Sequence, residues 1–174
     1  TMYTFALGGA ILAEMLLAGA IGIGEERKHL VDAIGTGTLS DPLLEECRAA
    51  IAGATRRRRA TSWVSRFARI RRLKHRVAEG LCRKGVLRNA EDQVLLIFTR
   101  KIYPVTDPAP ERLLVERMRE AIFGDSESLD PRTAFVVALA HAADMLPIHF
   151  PKKELKPRKE RLAQAADDWA AQRM

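Results

Sequence analysis

Residues 61–82 carry the pattern that most limits how this chain can fold. The apolar residues of this segment recur every three or four positions, at Phe67, Ile70, Leu73, Val77 and Leu81. This spacing places the apolar side chains on one face of an α-helix, and that face must be buried against other elements. Gly85 then follows as a helix C-cap. The pattern predicts one long amphipathic helix within a helical domain.

The composition favours the same fold class for the whole chain. Aromatic residues make up only 6% of the sequence, and the hydrophobic share of 47% is mostly aliphatic. Such a mixture suits helix packing better than the core of a β-sandwich. A chain of 174 residues is long enough for one domain with a proper core and short for two. We therefore expect residues 1–174 to form a mainly α, compact, single-domain helical bundle with short β-hairpins.

Local signals divide the rest of the chain into further elements. We expect a buried helix within residues 5–23, a hairpin within 21–31, and helices over 111–123, 131–145 and 158–172. Ser40-Asp41-Pro42 is a typical helix start, and Asp130 is the expected cap of the helix that begins at Pro131. No internal repeat and no domain linker interrupts this order.

The apolar stretch at residues 5–23 is long enough to be tested as a membrane span. Glu14 lies in its middle, and a charge at the centre of a bilayer is costly. Four glycines dilute its hydrophobicity, and no basic segment precedes it as in a signal peptide. We therefore expect a buried helix rather than a transmembrane one. The sequence begins at Thr1 within this pattern, which is compatible with native residues before it.

Residues 56–76 form the strongest electrostatic feature of the sequence. Before the first acidic residue, Glu79, they contain ten cations: Arg56, Arg57, Arg58, Arg59, Arg66, Arg69, Arg71, Arg72, Lys74 and Arg76. Like charges at helical spacing destabilise a helix by about 0.2–0.5 kcal/mol per pair. The whole chain has a formal net charge of +7. This excess favours an anionic partner, whether nucleic acid, an acidic protein or an anionic bilayer.

Arg71 and Lys74 are the best candidates in this run for direct contact with an anion. At i,i+3 spacing on a helix they project from one face and can hold a phosphate between them. Trp63 and Arg66 are candidate supporting residues, since Trp favours membrane interfaces where one edge of its ring stays wet. The alternative is a solvated basic face with Trp63 packed in the core.

A continuous apolar run is the second functional candidate. It consists of Val94, Leu95, Leu96, Ile97 and Phe98. With Val86-Leu87 as the first strand and residues 89–93 as a polar tip, the run predicts a hairpin whose second strand is apolar on both faces. Such a strand is either buried in the domain or part of a protruding hairpin that contacts a membrane or a partner subunit. Arg100 and Lys101 flank the run and would suit anionic head groups.

The sequence lacks the motifs of common catalytic and metal sites. It has no glycine-rich phosphate loop, no nucleophile elbow and no two-histidine metal helix. His141 and Asp144 lie at i,i+3, a spacing that could place a metal or an acid–base pair on one face of a helix. A histidine bonded to a neighbouring group in the fold is the commoner arrangement. Cys47 and Cys82 have no second Cys or His at ligand spacing, so we expect both to be small buried hydrophobic residues. We also expect a reducing compartment. We predict no enzyme activity, no metal and no cofactor.

Four segments, taken in order, resemble the Golgi phosphoprotein 3 family, including its bacterial members. They are residues 9–19 with Glu14, residues 76–87 (RVAEGLCRKGVL), residues 94–106 with Tyr103-Pro104 and Thr106, and residues 139–146 (LAHAADML). The resemblance implies a domain that binds phosphatidylinositol 4-phosphate peripherally on the cytosolic face of membranes. It also implies a hydrophobic hairpin for membrane insertion or oligomer contact. Eukaryotic members further serve as adaptors for Golgi glycosyltransferases and coat complexes.

Two positions depart from the pattern of that family. Its basic pair falls on Arg71 and Lys74, and its hairpin on about residues 91–102. The family's arginine near the start of the first helix is Gly8 here, and the aromatic of its head-group pocket would precede Thr1 or be absent. The resemblance therefore implies binding to anionic lipid more directly than recognition of one phosphoinositide.

Together, these features predict a cytoplasmic, peripheral membrane protein that binds an anionic phospholipid or phosphoinositide surface. A homo-oligomer formed through the hairpin is a further expectation. The alternative is a nucleic-acid-binding protein that places a basic helix of residues 56–76 in a groove. That helix has no evident helix-turn-helix partner, and few aromatic residues are present for base stacking.

Overall fold

The computed structural model describes residues 2–24, 29–35, 39–94, 98–125, 129–158 and 160–163. Its helices are α1 (Met2–Leu17), α2 (Pro42–Ala52), α3 (Ala60–Phe67), α4 (Leu73–Arg83), α5 (Ala109–Phe123), α6 (Pro131–Ala142) and α7 (Lys152–Leu155). Its strands are β1 (Ile21–Ile23), β2 (Leu30–Ala33), β3 (Arg58–Arg59), β4 (Ala90–Val94) and β5 (Phe98–Ile102). Short 3₁₀ turns cover Leu146–Ile148 and Lys156–Arg158. The predicted fold class, mainly helical with small antiparallel sheets, is confirmed.

Helix α1 is the element around which the first core cluster forms. It contacts α2, α3, α4 and α6, and it buries Ile11, Leu12, Met15 and Leu16. Glu14, on its partly exposed side, forms an ion pair with Arg132 of α6. Within the described part of the chain, no helix combines the length and the apolar character needed to cross a bilayer.

Gly8 lies where α1 crosses α3. A Cβ atom placed on Gly8 would come within 2.5 Å of the carbonyl oxygen of Val64 and within 3.0 Å of the amide nitrogen of Ala68. Both contacts are to the backbone of the neighbouring chain segment, which cannot rotate away as a side chain would. The absence of a side chain at Gly8 therefore allows the two helices to approach closely.

The first hairpin is confirmed and is part of a larger sheet. Strands β1 and β2 pair antiparallel, with Ile21 opposite Ala33, and β3 adds to the other edge of β2. This third strand was not predicted, because Arg58 and Arg59 were assigned to a charged run on the basis of composition. An ion pair between Arg57 and Asp32 of β2 holds the arginine segment against the sheet.

The prediction of one helix over residues 61–82 is wrong. Helix α3 ends at Phe67 and α4 begins at Leu73, with Arg72 in the left-handed region at φ 57°. The amide of Leu73 donates to the carbonyl oxygen of Ile70 in the intervening turn. Phe67 and Leu73 are nonetheless buried in one core cluster. A compact turn thus preserves apolar spacing that looks helical in the sequence.

The register predicted for the second hairpin from its residue pattern is also wrong, whereas the hairpin that the family resemblance implied at about residues 91–102 matches strands β4 and β5. Residues 90–93, expected partly as a polar tip, form strand β4, and Val94 pairs with Phe98 at the far end of the ladder. Leu87 forms only an isolated bridge with Val105. Leu95, Leu96 and Ile97 lie outside the described residues. Val94 and Phe98, the two ends of the apolar run, therefore pair with each other on opposite strands, contrary to the predicted single apolar strand.

The second core cluster lies between α5, α6 and the residues that follow. It contains Met118, Ile122, Val137, Phe150 and Leu162, each at most 5% exposed. The predicted cap of α6 is confirmed, because the carboxylate of Asp130 accepts a hydrogen bond from the amide of Thr133. Of the predicted final helix, residues 160–163 are helical, and residues 164–172 lie outside the described chain.

Candidate functional site

Exposed cations cluster where α3 ends and α4 begins. We call this set the basic surface: Arg66, Arg69, Arg71, Arg72 and Lys74, all of which are exposed. The apolar residues of the same segment, Trp63, Phe67 and Leu73, are at most 3% exposed and belong to the first core cluster. The chain thus separates its charged and apolar side chains, and the cations are presented to solvent on a packed support.

Trp63 belongs to that support and not to the surface. Its side chain is 1% exposed, and its ring packs 5.6 Å from the ring of Phe67. The guanidinium carbon of Arg66 lies 5.4 Å from the centroid of the Trp63 ring. The buried ring of Trp63 therefore cannot contact a membrane interface, which is the supporting role expected of it. Arg66 remains exposed.

Arg71 and Lys74 lie on different local structures. Arg71 is in the turn before α4, and Lys74 is in the first turn of that helix. The i,i+3 helical geometry used to pair them is consequently absent, because the backbone reverses hand at Arg72 between them. They remain close in sequence and exposed at the same end of α4.

Tyr3 is a neighbour of Lys74 that sequence reasoning missed. The ammonium nitrogen of Lys74 lies 5.0 Å from the centroid of the Tyr3 ring, within the range of a cation–π interaction. Tyr3 itself is 39% exposed. No periodicity in the sequence relates α1 to α4 at these positions, so only the packing of the two helices reveals the contact.

The N-terminus of α4 adds a favourable field for anions. Its first turn contains no acidic residue, and the N-cap residue Arg72 makes no side-chain capping bond. A helix N-terminus has a partial charge equivalent to about +0.5, so nearby cations are unfavourable there and anions are favourable. The positive charges of Arg72 and Lys74 are therefore unfavourable at this helix N-terminus. A bound anion would reduce this electrostatic cost.

The long cationic run is partly neutralised by acids from other elements. Arg57 pairs with Asp32, and Arg76 pairs with Glu46 of α2. The other eight cations of the run form no ion pair within the described residues. The nucleic-acid hypothesis required one basic helix over residues 56–76, and the structure divides this segment into β3, α3, a turn and α4.

The second hairpin is a two-stranded ladder whose strands carry charged residues. Asp92 and Arg100 face each other in the register and approach to 3.4 Å, and Lys101 is exposed. The predicted association of Arg100 with head groups therefore competes with an internal partner.

A hydrogen bond connects the hairpin to the helix that follows the basic surface. The Nδ1 atom of His75 and the hydroxyl oxygen of Tyr103 are 2.9 Å apart, and the two rings are in contact. His75 follows Lys74 directly, and Tyr103 follows the last residue of β5. Two half-buried side chains thus link the basic surface to the base of the hairpin.

The cysteines and His141 show no arrangement suited to catalysis or metal binding. Cys47 is buried as predicted, and burial, with the nearby Glu46 charge, raises the pKa of its thiol to about 12. Cys82 is only partly buried, contrary to expectation. Both His141 and Asp144 are exposed rather than enclosed in the fold. No group of three or more potential metal ligands occurs among the described residues.

Comparison with known families gives one finding for this chain. The family model described as Golgi phosphoprotein 3 (GPP34) matches residues 1–174. The resemblance inferred from the four sequence segments is thereby confirmed, and it extends over the whole of the given sequence. This is a family of lipid-binding adaptors rather than of enzymes.

Proposed function

The chain belongs to the Golgi phosphoprotein 3 family, and on this premise we propose that it is a peripheral membrane protein that binds anionic lipid head groups through its basic surface. The observation that carries the proposal is the placement of Arg71, Arg72 and Lys74 around the uncapped N-terminus of α4. Family membership supports lipid binding at a coarse level. Exposed cations on a packed support suit a ligand that presents phosphate groups in a plane, as a bilayer does.

The proposed ligand is a phosphoinositide, by family resemblance phosphatidylinositol 4-phosphate. A phosphate monoester has a charge of about −1.5 to −2 at neutral pH and three strong acceptor oxygens. The guanidinium group of Arg71 and the ammonium group of Lys74 would supply donors to these oxygens. Gly8 supplies no cation, and its backbone contacts with α3 leave no space for one, so recognition would rest on α4 and the preceding turn.

We assign a second role in membrane binding to the apolar hairpin. Val94 and Phe98 pair at one end of the β4–β5 ladder, residues 95–97 join them in the sequence, and the paired strands carry charged residues. An apolar end on a charged stem suits insertion among lipid chains while the stem remains in water. Self-association through the same residues is the other use of this hairpin. By family resemblance, the membrane face that the protein binds is the cytosolic one.

Vesicle co-sedimentation tests the lipid proposal. The protein is mixed at physiological salt with phosphatidylcholine vesicles, with vesicles containing phosphatidylglycerol, and with vesicles containing phosphatidylinositol 4-phosphate at matched surface charge. Preference for the phosphoinositide would support the specific assignment, and equal binding would support only the basic surface. Failure to bind either anionic vesicle would contradict the function and direct attention to nucleic acid.

A double variant tests the residues. Arg71→Ala with Lys74→Ala should lower binding to the anionic vesicles roughly tenfold to thirtyfold, at about 1 kcal/mol per lost cation. The matched control is Lys84→Ala with Arg112→Ala, which removes the same charge from exposed positions elsewhere. Equal losses in both variants would mean that net charge alone, and not this surface, drives binding.

The hairpin requires a separate test. Leu95→Asp introduces a charge into the apolar run and should reduce insertion, measured by resistance of vesicle binding to high salt. Leu113→Asp, at an exposed leucine of α5, is the matched control. A folded Leu95→Asp protein with unchanged binding and unchanged self-association would exclude both roles of the run.

A further inference from the structure

A cleft lies between the C-terminal end of α6 and helix α7. Its volume is about 540 Å³, and its apolar lining comes from Leu146, Pro147, Leu155 and Leu162. Pockets of about 300–1,000 Å³ with mostly apolar walls are typical of small-molecule sites. None of the cations of the basic surface lines this cleft.

Three lysines from consecutive short helical segments surround the cleft. Lys152, Lys153 and Lys156 line it and are exposed. None of the three forms an ion pair with any residue in the described parts of the chain. The apolar stem of a lysine can lie along an apolar wall while its ammonium group stays in water. We call the site the lysine-rimmed cleft.

His141 and Asp144 complete the lining, and Asp144 is the one carboxylate among the described residues that line the cleft. Three ammonium groups against one carboxylate give the rim an excess of positive charge at neutral pH. The apolar walls and the cationic rim together define a ligand with an apolar part and an anionic end.

We propose that the lysine-rimmed cleft binds a single-chain anionic amphiphile, with its acyl chain against the leucines and its head group at the lysines. A fatty acid and a lysophospholipid share this chemistry. A cationic amphiphile meets like charge at the rim, and a purely polar anion leaves the apolar walls in contact with water. The site is separate from the basic surface, so it can be tested without vesicles.

Isothermal titration with laurate below its micelle-forming concentration tests the proposal. We expect saturable binding of laurate and much weaker binding of dodecylammonium, which has the same chain length and the opposite charge. The triple variant Lys152→Glu, Lys153→Glu, Lys156→Glu should bind laurate at least roughly tenfold more weakly. The matched control is Lys84→Glu, Arg88→Glu, Arg112→Glu, which changes the net charge equally at other exposed positions.

Asp144 provides a variant expected to gain affinity. It has a positive φ of 54°, a conformation that asparagine also tolerates, so Asp144→Asn should preserve the backbone. Removing the carboxylate of Asp144 from the lining should raise laurate affinity about twofold to fivefold.

Several outcomes would overturn the assignment. These are absence of saturable laurate binding, equal binding of dodecylammonium, equal losses in the two triple variants, and no gain in Asp144→Asn. The variant Arg71→Ala with Lys74→Ala should keep laurate binding, and its loss there would place the amphiphile on the basic surface instead. Failure of vesicle binding alone would leave the laurate result intact, which separates this proposal from the lipid-surface function.

Discussion

The basic surface and the lysine-rimmed cleft present charge of the same sign in different settings. Beneath the basic surface, the apolar residues Trp63 and Phe67 are sealed in the core at 1% and 2% exposure, so apart from the Tyr3 ring beside Lys74 a ligand meets cations. In the cleft, Pro147 and Leu155 remain partly accessible beside the lysines. The first setting suits an extended anionic surface, and the second suits one molecule that has both an apolar chain and an anionic head.

Net charge therefore does not select the ligand class of either region. A formal charge of +7 favours any polyanion. What discriminates is whether apolar side chains next to the cations are already covered by the protein.

The largest expected effect comes from removing the support of the basic surface. Trp63→Ala should lower the free energy of unfolding by about 3–5 kcal/mol, because it opens a cavity in a closed core. Trp63→Phe should cost much less, since it keeps most of the ring and removes an indole N–H that has no partner among the described residues. Denaturant unfolding measures both. A small effect of Trp63→Ala would show that the basic surface does not depend on a packed core.

Two glycines offer a matched pair with opposite expected signs. Gly8→Ala should destabilise by about 1–3 kcal/mol, because its Cβ atom meets the α3 backbone at 2.5 Å. Gly80→Ala in α4 should stabilise by about 0.5–1 kcal/mol, since its Cβ atom would meet only side-chain atoms at 3.6 Å or more. Thermal or chemical unfolding of both variants checks the signs. Stabilisation in both would mean that α1 and α3 are not closely packed at Gly8.

The parts of the fold that were predicted correctly depend on local chemistry. Asp41-Pro42 and Asp130-Pro131 begin helices because a carboxylate can cap the first amides and proline suits the first turn. Such signals need only neighbouring residues, so they can be read without the tertiary structure. The basic run was likewise evident from composition.

The errors arose where tertiary contacts decide the local conformation. An arginine in the left-handed region is uncommon, so the break at Arg72 has no residue-type signal, and the buried Phe67 and Leu73 conceal it. The polar residues of β4 were read as a turn, although a ladder that pairs only with itself can carry charges. The contact between Tyr3 and Lys74 depends on helix packing and is invisible in one sequence.

A smaller effect concerns the helix that leads into the lysine-rimmed cleft. Asp130→Ala removes the cap of α6 and should lower the free energy of unfolding by about 1 kcal/mol. Hydrogen bonds lower the pKa of the Asp130 carboxyl. The larger contribution comes from the backbone amide of Thr133, and the next comes from its hydroxyl. This stabilisation is therefore present above the unfolded-state pKa, near about 3.9, and is lost as the pH falls through the lower folded-state value. Asp130→Asn should show less of this acid-dependent loss in unfolding experiments from neutral to acidic pH.

The smallest expected change is the response of the cleft to salt. The Debye length falls from about 10 Å at 0.1 M to about 3 Å at 1 M ionic strength, which screens exposed charges strongly. Vesicle binding through the basic surface should therefore weaken many-fold over this range. Laurate affinity should change by less than about threefold, because burial of the chain is not screened and salt does not weaken it. Parallel titrations in sodium chloride measure both, and equal salt sensitivity would mean that the cleft, like the basic surface, recognises its ligand by charge alone.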